Sequence, residues 1–246
     1  MKRVALMLLL GLAPFVGRAQ QGTLDYKTTL AGARPDGARP DVSRSDVSAP
    51  GATVTSRTYI ANGNVRVEAS IAMPGMAMSL RQATLLLADK PTVTYLLDER
   101  RQVYTDMPAK STGKNGAVTV KRVGTENVLG MNCTHVVATT GKTQMDLWTT
   151  KDIRGYDKLL NYRRVNPNLG SEAVHGQLKK LGADGIVVKS LVKTDKGSVT
   201  TELLGFDPRP PAASLFVIPK TYRKVSVAEY QKGMQGAMGG QPVPNR

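Results

Sequence analysis

The chain is short of the residue types that most catalytic and metal sites are built from. Its 246 residues include one cysteine, two histidines, one tryptophan and three phenylalanines. A single cysteine, Cys133, excludes a disulfide framework within the chain. Its neighbours alternate in polarity, so it reads as a small buried hydrophobe rather than a reactive thiol. Neither His135 nor His175 stands at a metal-ligand spacing with cysteine or carboxylates. No Gly-x-Ser-x-Gly elbow, no Ser-x-x-Lys motif in a credible context and no phosphate-cradling glycine loop occurs. Nor is there an apolar run of the roughly 20 residues that a membrane-spanning helix needs.

The longest apolar run, Val4 to Val16, contains Pro14 and follows Lys2 and Arg3. With the small-x-small site Gly17-Arg18-Ala19 it has the three parts of a cleavable secretory signal, so residues 1–19 are expected to be removed. No cysteine follows that site, which argues against a lipoprotein. The expected location is the periplasm or the outside of the cell, without a membrane span.

The formal charge is +15; Lys2, Arg3 and Arg18 leave with the signal, hence +12 for the mature chain. Such a surplus favours anionic surfaces, including a lipid membrane. Nucleic acid is not expected as a partner, because the chain is exported and lacks aromatic residues interleaved with its basic ones.

The pattern along the chain is that of strands. Leu24 to Leu30 alternates, and a decaying five-residue repeat follows from Ala33 to Val47. The stretch 32–52 is too polar to offset its ordering entropy and is expected to be disordered. Thr53 to Ile60 and Asn64 to Ile71 flank Asn62-Gly63, a strong hairpin signal. Val65, Val67, Ala69 and Ile71 point one way, and Arg66, Glu68 and Ser70 the other. Ala83 to Ala88, Thr92 to Leu97 and Gln102 to Asp106 read as a meander, the first covered on both faces. Ala117 to Val123, Asn132 to Thr140 and Thr143 to Thr150 continue the series.

The period changes between Gly155 and Leu181, where one or two short helices are expected, ending at Gly182. Strands resume at Ile186 to Lys193 and Ser198 to Phe206, and Leu215 to Ile218 forms an apolar plug. The expectation is one mainly β (α+β) domain over 20–228. It consists of about ten antiparallel strands in a curved sheet or half-barrel, with the helices as lid or plug. Residues 229–246 are expected to be a flexible tail.

Several segments resemble a secreted bacterial domain family of unknown function, number 4412. They are Tyr59 to Glu68, Thr94 to Asp98, Val103 to Thr105, Gly124 to Gly130, Cys133 to His135, Leu147 to Ile153 and Ser214 to Tyr222. The family in turn resembles the LolA/LolB-like carriers of outer-membrane lipoproteins. That resemblance implies a curved sheet around a helical lid, with an apolar cavity between them. It implies no catalytic residues.

Three side-chain groups remain as candidates for chemistry. Asp146 and Trp148 share a strand face, with Glu126 and Asp152 near in sequence, but paired carboxylates need a measured separation to act in hydrolysis. His135 shares a face with Cys133 and Val137. Met73, Met76 and Met78 offer soft thioethers suited to Cu(I), with Met131, Met145 or His135 to complete a site. The bland reading of that loop is a flexible apolar lip.

The sequence therefore points to a monomeric, non-enzymatic envelope module without a cofactor. It would hold a lipid, an acyl chain, a lipoprotein or an apolar peptide. The alternatives are an interaction protein docking through a sheet edge, and copper binding by the Met73–Met78 loop.

Overall fold

The computed structural model describes residues 21–31, 51–72, 80–108, 118–141, 143–153, 172–194 and 197–239. The signal segment, the five-residue repeat, the Met73–Met78 loop and the helical pattern around Leu159, Leu160 and Pro167 lie outside them.

The first half of the fold comprises β1 (Gln21–Ala31), β2 (Thr53–Ala61), β3 (Asn64–Ala72), β4 (Leu80–Leu86), β5 (Val93–Asp98) and β6 (Val103–Pro108). The second comprises β7 (Val118–Val128), β8 (Met131–Thr140), β9 (Thr143–Thr150), α1 (Glu172–Lys180), β10 (Ile186–Thr194) and β11 (Gly197–Asp207). A 3-10 turn (Ala213–Phe216), β12 (Arg223–Lys224) and α2 (Val227–Gly239) close the chain. The twelve strands among the described residues form one curved, unclosed sheet in the order β12-β6-β5-β4-β3-β2-β1-β11-β10-β9-β8-β7.

The expected fold class holds, with twelve strands in place of about ten. The extra pairing is β12, two residues lying parallel to β6. Every other pairing among the described strands is antiparallel, as the short turns between β2 and β3, β5 and β6, and β7 and β8 require. At Asn62-Gly63 both residues take left-handed backbone angles, φ 51° and 78°, as the sequence predicts for a two-residue hairpin. β1 has a different role. It joins the two meanders, pairing β2 on one side and β11 on the other.

Alternation gives the sheet two different faces. On the inner face Leu24, Ile60, Val65, Val136, Leu147 and Leu203 are almost fully buried and form the main core with Val174 and Leu178 of α1. α1 ends as the glycine predicts. Gly182 has φ 69°, its N–H donates to the Lys179 carbonyl at 3.1 Å, and Ala183 N–H reaches back to the Leu178 carbonyl at 2.8 Å. The outer face of β4 and β5 buries Leu85, Tyr95 and Leu97 under Phe216, Leu215 and Ile218. The expected apolar plug thus docks on the face opposite the main core. Leu86 is buried on the opposite face from Leu85, so the leucine run of β4 is covered on both sides.

The tail is a second correction. From Glu229 a loose chain is expected, yet α2 continues to Gly239. Tyr230 is the reason: it is buried against Val103 and Val225, with Leu96 and Met234 beside it. Arg101 lies 5.6 Å from the Tyr230 ring and donates to its carbonyl at 3.1 Å. A tertiary anchor overrides the glycine-rich composition of the segment.

Candidate functional site

Three surfaces of the sheet carry chemistry beyond packing. The first is a ladder on the outer face of β7 to β11. His135 of β8 lies directly opposite Trp148 of β9, which lies opposite Lys189 of β10. His135 Nδ1 is 2.9 Å from Glu126 Oε1, and its Nε2 is 3.1 Å from Asp146 Oδ1. Each ring nitrogen thus lies within hydrogen-bond reach of a carboxylate oxygen. The Trp148 indole N–H donates to Glu126 Oε2 at 2.9 Å, and Gln144 donates to Asp146 Oδ2 at 3.1 Å. The Trp148 bond first, and the His135 bond after it, hold the Glu126 carboxyl below its ordinary range.

This ladder joins residues that the sequence only placed near one another. His135 fills the space between the two carboxylates, where a paired-carboxylate hydrolase would hold its scissile bond. Asp152 is elsewhere: it accepts from the Asn132 N–H at 2.9 Å and supports the turn. Cys133 is fully buried, and burial pushes its thiol up, as befits a structural residue. His175 lies half-buried on α1.

The thioether candidates separate. Met145 pairs with Ala138 while His135 pairs with Trp148, three residues away along β8, so their side chains leave opposite faces of the sheet. Met145 and His135 therefore cannot serve one site together, and the Met73–Met78 loop they would complete lies outside the described residues. Among the described residues no group of three His, Cys, Asp or Glu side chains is placed to hold a metal ion.

The second surface is an apolar row on the inner face. Met145, Val192, Val199 and Leu30 are successive partners across β9, β10, β11 and β1, and Val54 faces Ile71 across β2 and β3. All six are half-buried; Val54 and Ile71 stand one cross-strand level from the other four, since Val54 lies opposite Thr28 of β1.

The third is a groove of about 520 Å3 on the outer face, crossing β1 to β4 and reaching Glu99 and Leu204. It is not the apolar cavity expected from the sequence. Asp25, Arg57, Glu68, Ser70 and Arg81 line it. Arg57 donates twice to Asp25, at 2.6 and 3.1 Å, and that carboxylate raises the guanidinium's already high pKa. Beside the groove the buried Arg66 reaches Glu68 at 2.8 Å, Glu99 at 2.6 Å and the Leu215 carbonyl at 3.4 Å, tying the plug to the sheet. Sequence reading missed this network, because its partners lie more than 30 residues apart; alternation showed only that Arg66 and Glu68 share a face.

The family model described as "Domain of unknown function (DUF4412)" matches residues 45–222. No curated protein matches the chain in sequence. Among solved structures it is similar to PNGF-II, with 14% identity over 87% of this chain and 32% of that one and a TM-score of 0.39. It is similar to the Pseudomonas aeruginosa MucA/MucB complex, with 13% identity over 85% of this chain and 59% of that one and a TM-score of 0.43. A putative outer membrane lipoprotein-sorting protein domain from Vibrio parahaemolyticus shares 9% identity over 80% of this chain and 88% of that one, with a TM-score of 0.30. The chain thus spans about a third and less than two thirds of the first two. Among the described residues no helix is long and apolar enough to cross a membrane.

Proposed function

The chain belongs to the DUF4412 family, and from that premise we propose that it is a non-enzymatic, monomeric binding module of the cell envelope that holds an acyl chain or apolar peptide against the inner face of its sheet. One observation carries the reading: the row Met145, Val192, Val199 and Leu30 is apolar across four strands yet only half covered, and the half-covered pair Val54 and Ile71 lies on the same face one cross-strand level away, opposite Thr28. Each half-exposed aliphatic side chain gains about 25 cal/mol per Å2 when a ligand removes it from water. A row of them on a rigid sheet suits a flexible hydrocarbon, which needs area rather than directional bonds. The basic surplus of the mature chain would favour anionic head groups at the rim. Export by the N-terminal signal, free of a lipid anchor, belongs to the same proposal.

The alternative, docking through a sheet edge, is weakened by how the edge is built. Among the described residues β7 pairs only with β8, but Gln177 of α1 caps it, donating to the Val118 carbonyl at 2.8 Å and accepting from Val120 N–H at 3.0 Å. A bulge between Arg122 and Gly124 interrupts the strand further along, beside Lys121. These are the devices that keep an edge from pairing with another chain.

Native mass spectrometry of the protein purified from a bacterial envelope tests the proposal. Bound lipid or peptide is expected on the wild type and is expected to be lost in Val192→Asp that retains the wild-type circular dichroism. Wild-type protein free of any apolar adduct, which also fails to take up a fluorescent fatty acid, would refute it.

A further inference from the structure

The outer-face groove divides into groups that are already committed and groups that are not. Arg57 is held by Asp25, and Glu68 and Glu99 are both held by the buried Arg66. Arg81 is exposed and has no partner among the described residues. Ser70 lies directly opposite it on β3, and Thr55 lies directly opposite Ser70 on β2. Neither hydroxyl is engaged by another described residue. The free groups thus form one row across three strands: hydroxyl, hydroxyl, guanidinium. All of them can donate hydrogen bonds, and the only fixed charge among them is positive.

A groove in which every acid is already paired with a cation and the remaining row donates calls for an anion from outside. A guanidinium presents a planar fork that matches an oxyanion in two bonds at once. Two hydroxyls on the neighbouring strands can meet further oxygens of a tetrahedral group. The volume of about 520 Å3 is far more than a bare phosphate fills, and it falls in the range of small-molecule sites. The rest of the ligand would lie against Asp25, Glu68 and Glu99, which accept hydrogen bonds from hydroxyl or ammonium groups. We propose that the groove binds a phosphate ester of a small polyol or amino alcohol, with Arg81 as the contacting cation and Ser70 and Thr55 as supporting donors. The site is on the opposite face of the sheet from the apolar row, and the two stand or fall separately.

The test titrates the mature chain with glycerol 3-phosphate and with phosphoethanolamine, following amide chemical shifts, and measures flotation with phosphatidylglycerol or phosphatidylcholine vesicles. Arg81→Gln is compared with Lys179→Gln, which makes the same charge change on the exposed face of α1. Saturable binding by the wild type is expected, weakened at least tenfold by Arg81→Gln and unchanged by Lys179→Gln, with shifts centred on Thr55, Ser70 and Arg81. Binding of the soluble esters alone would identify a free phosphate ester; Arg81-dependent vesicle binding as well would identify a lipid head group. Both support the site. Absence of saturable binding in every arm, or equal weakening by the two charge variants, would overturn it.

Discussion

His135 lies flat on Trp148, with ring centroids 4.2 Å apart and planes inclined by 14°. The contact follows from register, since the two residues are direct cross-strand partners on β8 and β9. Their polar edges then share one acceptor: the indole N–H and the imidazole Nδ1 each meet an oxygen of Glu126. The outer face of the second meander is therefore held by a stacked pair whose hydrogen bonds run to Glu126 on the edge strand β7 and, through His135 Nε2, to Asp146 on β9.

Removing the imidazole should cost more than a surface substitution. In His135→Ala the nearly buried Asp146 keeps Gln144 but loses its ring donor, and Glu126 loses one of its two bonds. A buried polar group deprived of a partner costs about 1–3 kcal/mol. The chain has one tryptophan, so urea unfolding followed by Trp148 emission reads the change directly. A loss of stability below about 0.5 kcal/mol, the scale of an ordinary surface change, would show the ladder to be decoration.

α2 should be lost preferentially in alkali. Burial first, and the nearby Asp98 carboxylate second, push the Tyr230 phenol up to about 12. The neutral phenol is the form the fold prefers. Below pH about 10 the unfolded chain carries it too, and the contribution is complete. Above that the unfolded phenol ionises first, so stability falls as pH rises from about 10 to about 12, by about 3 kcal/mol. Tyr230→Phe keeps the ring in its site and removes this slope. Urea midpoints at a series of alkaline pH values, wild type against variant, should diverge only above pH about 10; parallel curves would assign the alkaline loss to other groups.

What could be read from the sequence was local, and what escaped it was not. The strand faces of β3 and β8 follow from two-residue alternation, and the hairpin at Asn62-Gly63 follows from the only residues that take left-handed angles cheaply. Gly182 stops α1 for the same reason. The place of β1 in the middle of the sheet escaped, because its partners on β11 lie more than 150 residues away. α2 escaped because one buried tyrosine outweighs the poor helix propensity of a glycine-rich segment. In the ladder, alternation put Asp146 and Trp148 on one face, but only register brings His135 between Asp146 and Glu126. The groove comes from such register, which sets Asp25 beside Arg57 and Thr55, Ser70 and Arg81 in line, and from the long-range ion pair of Arg66 with Glu99.

One hairpin was missed for a reason that itself predicts a variant. β7 turns into β8 through Leu129 and Gly130, with φ of 53° and 78°, the same two-residue geometry as Asn62-Gly63. Val128 and Met131 pair directly on either side, and the Asn127 side chain accepts from Gly130 N–H at 3.2 Å. Leucine is a poor residue for the first position, because its Cβ crowds the following carbonyl in a left-handed conformation at a cost of about 1–2 kcal/mol. Packing does not compensate, since Leu129 is 61% exposed. Asparagine tolerates this conformation and restores the hairpin dipeptide found at Asn62-Gly63. Leu129→Asn should therefore stabilise the chain by about 0.5–1 kcal/mol, with the m-value unchanged, because the unfolded surface hardly alters. Urea denaturation of the two proteins side by side measures it. An unchanged or lower midpoint would mean that the left-handed angle at Leu129 carries no strain.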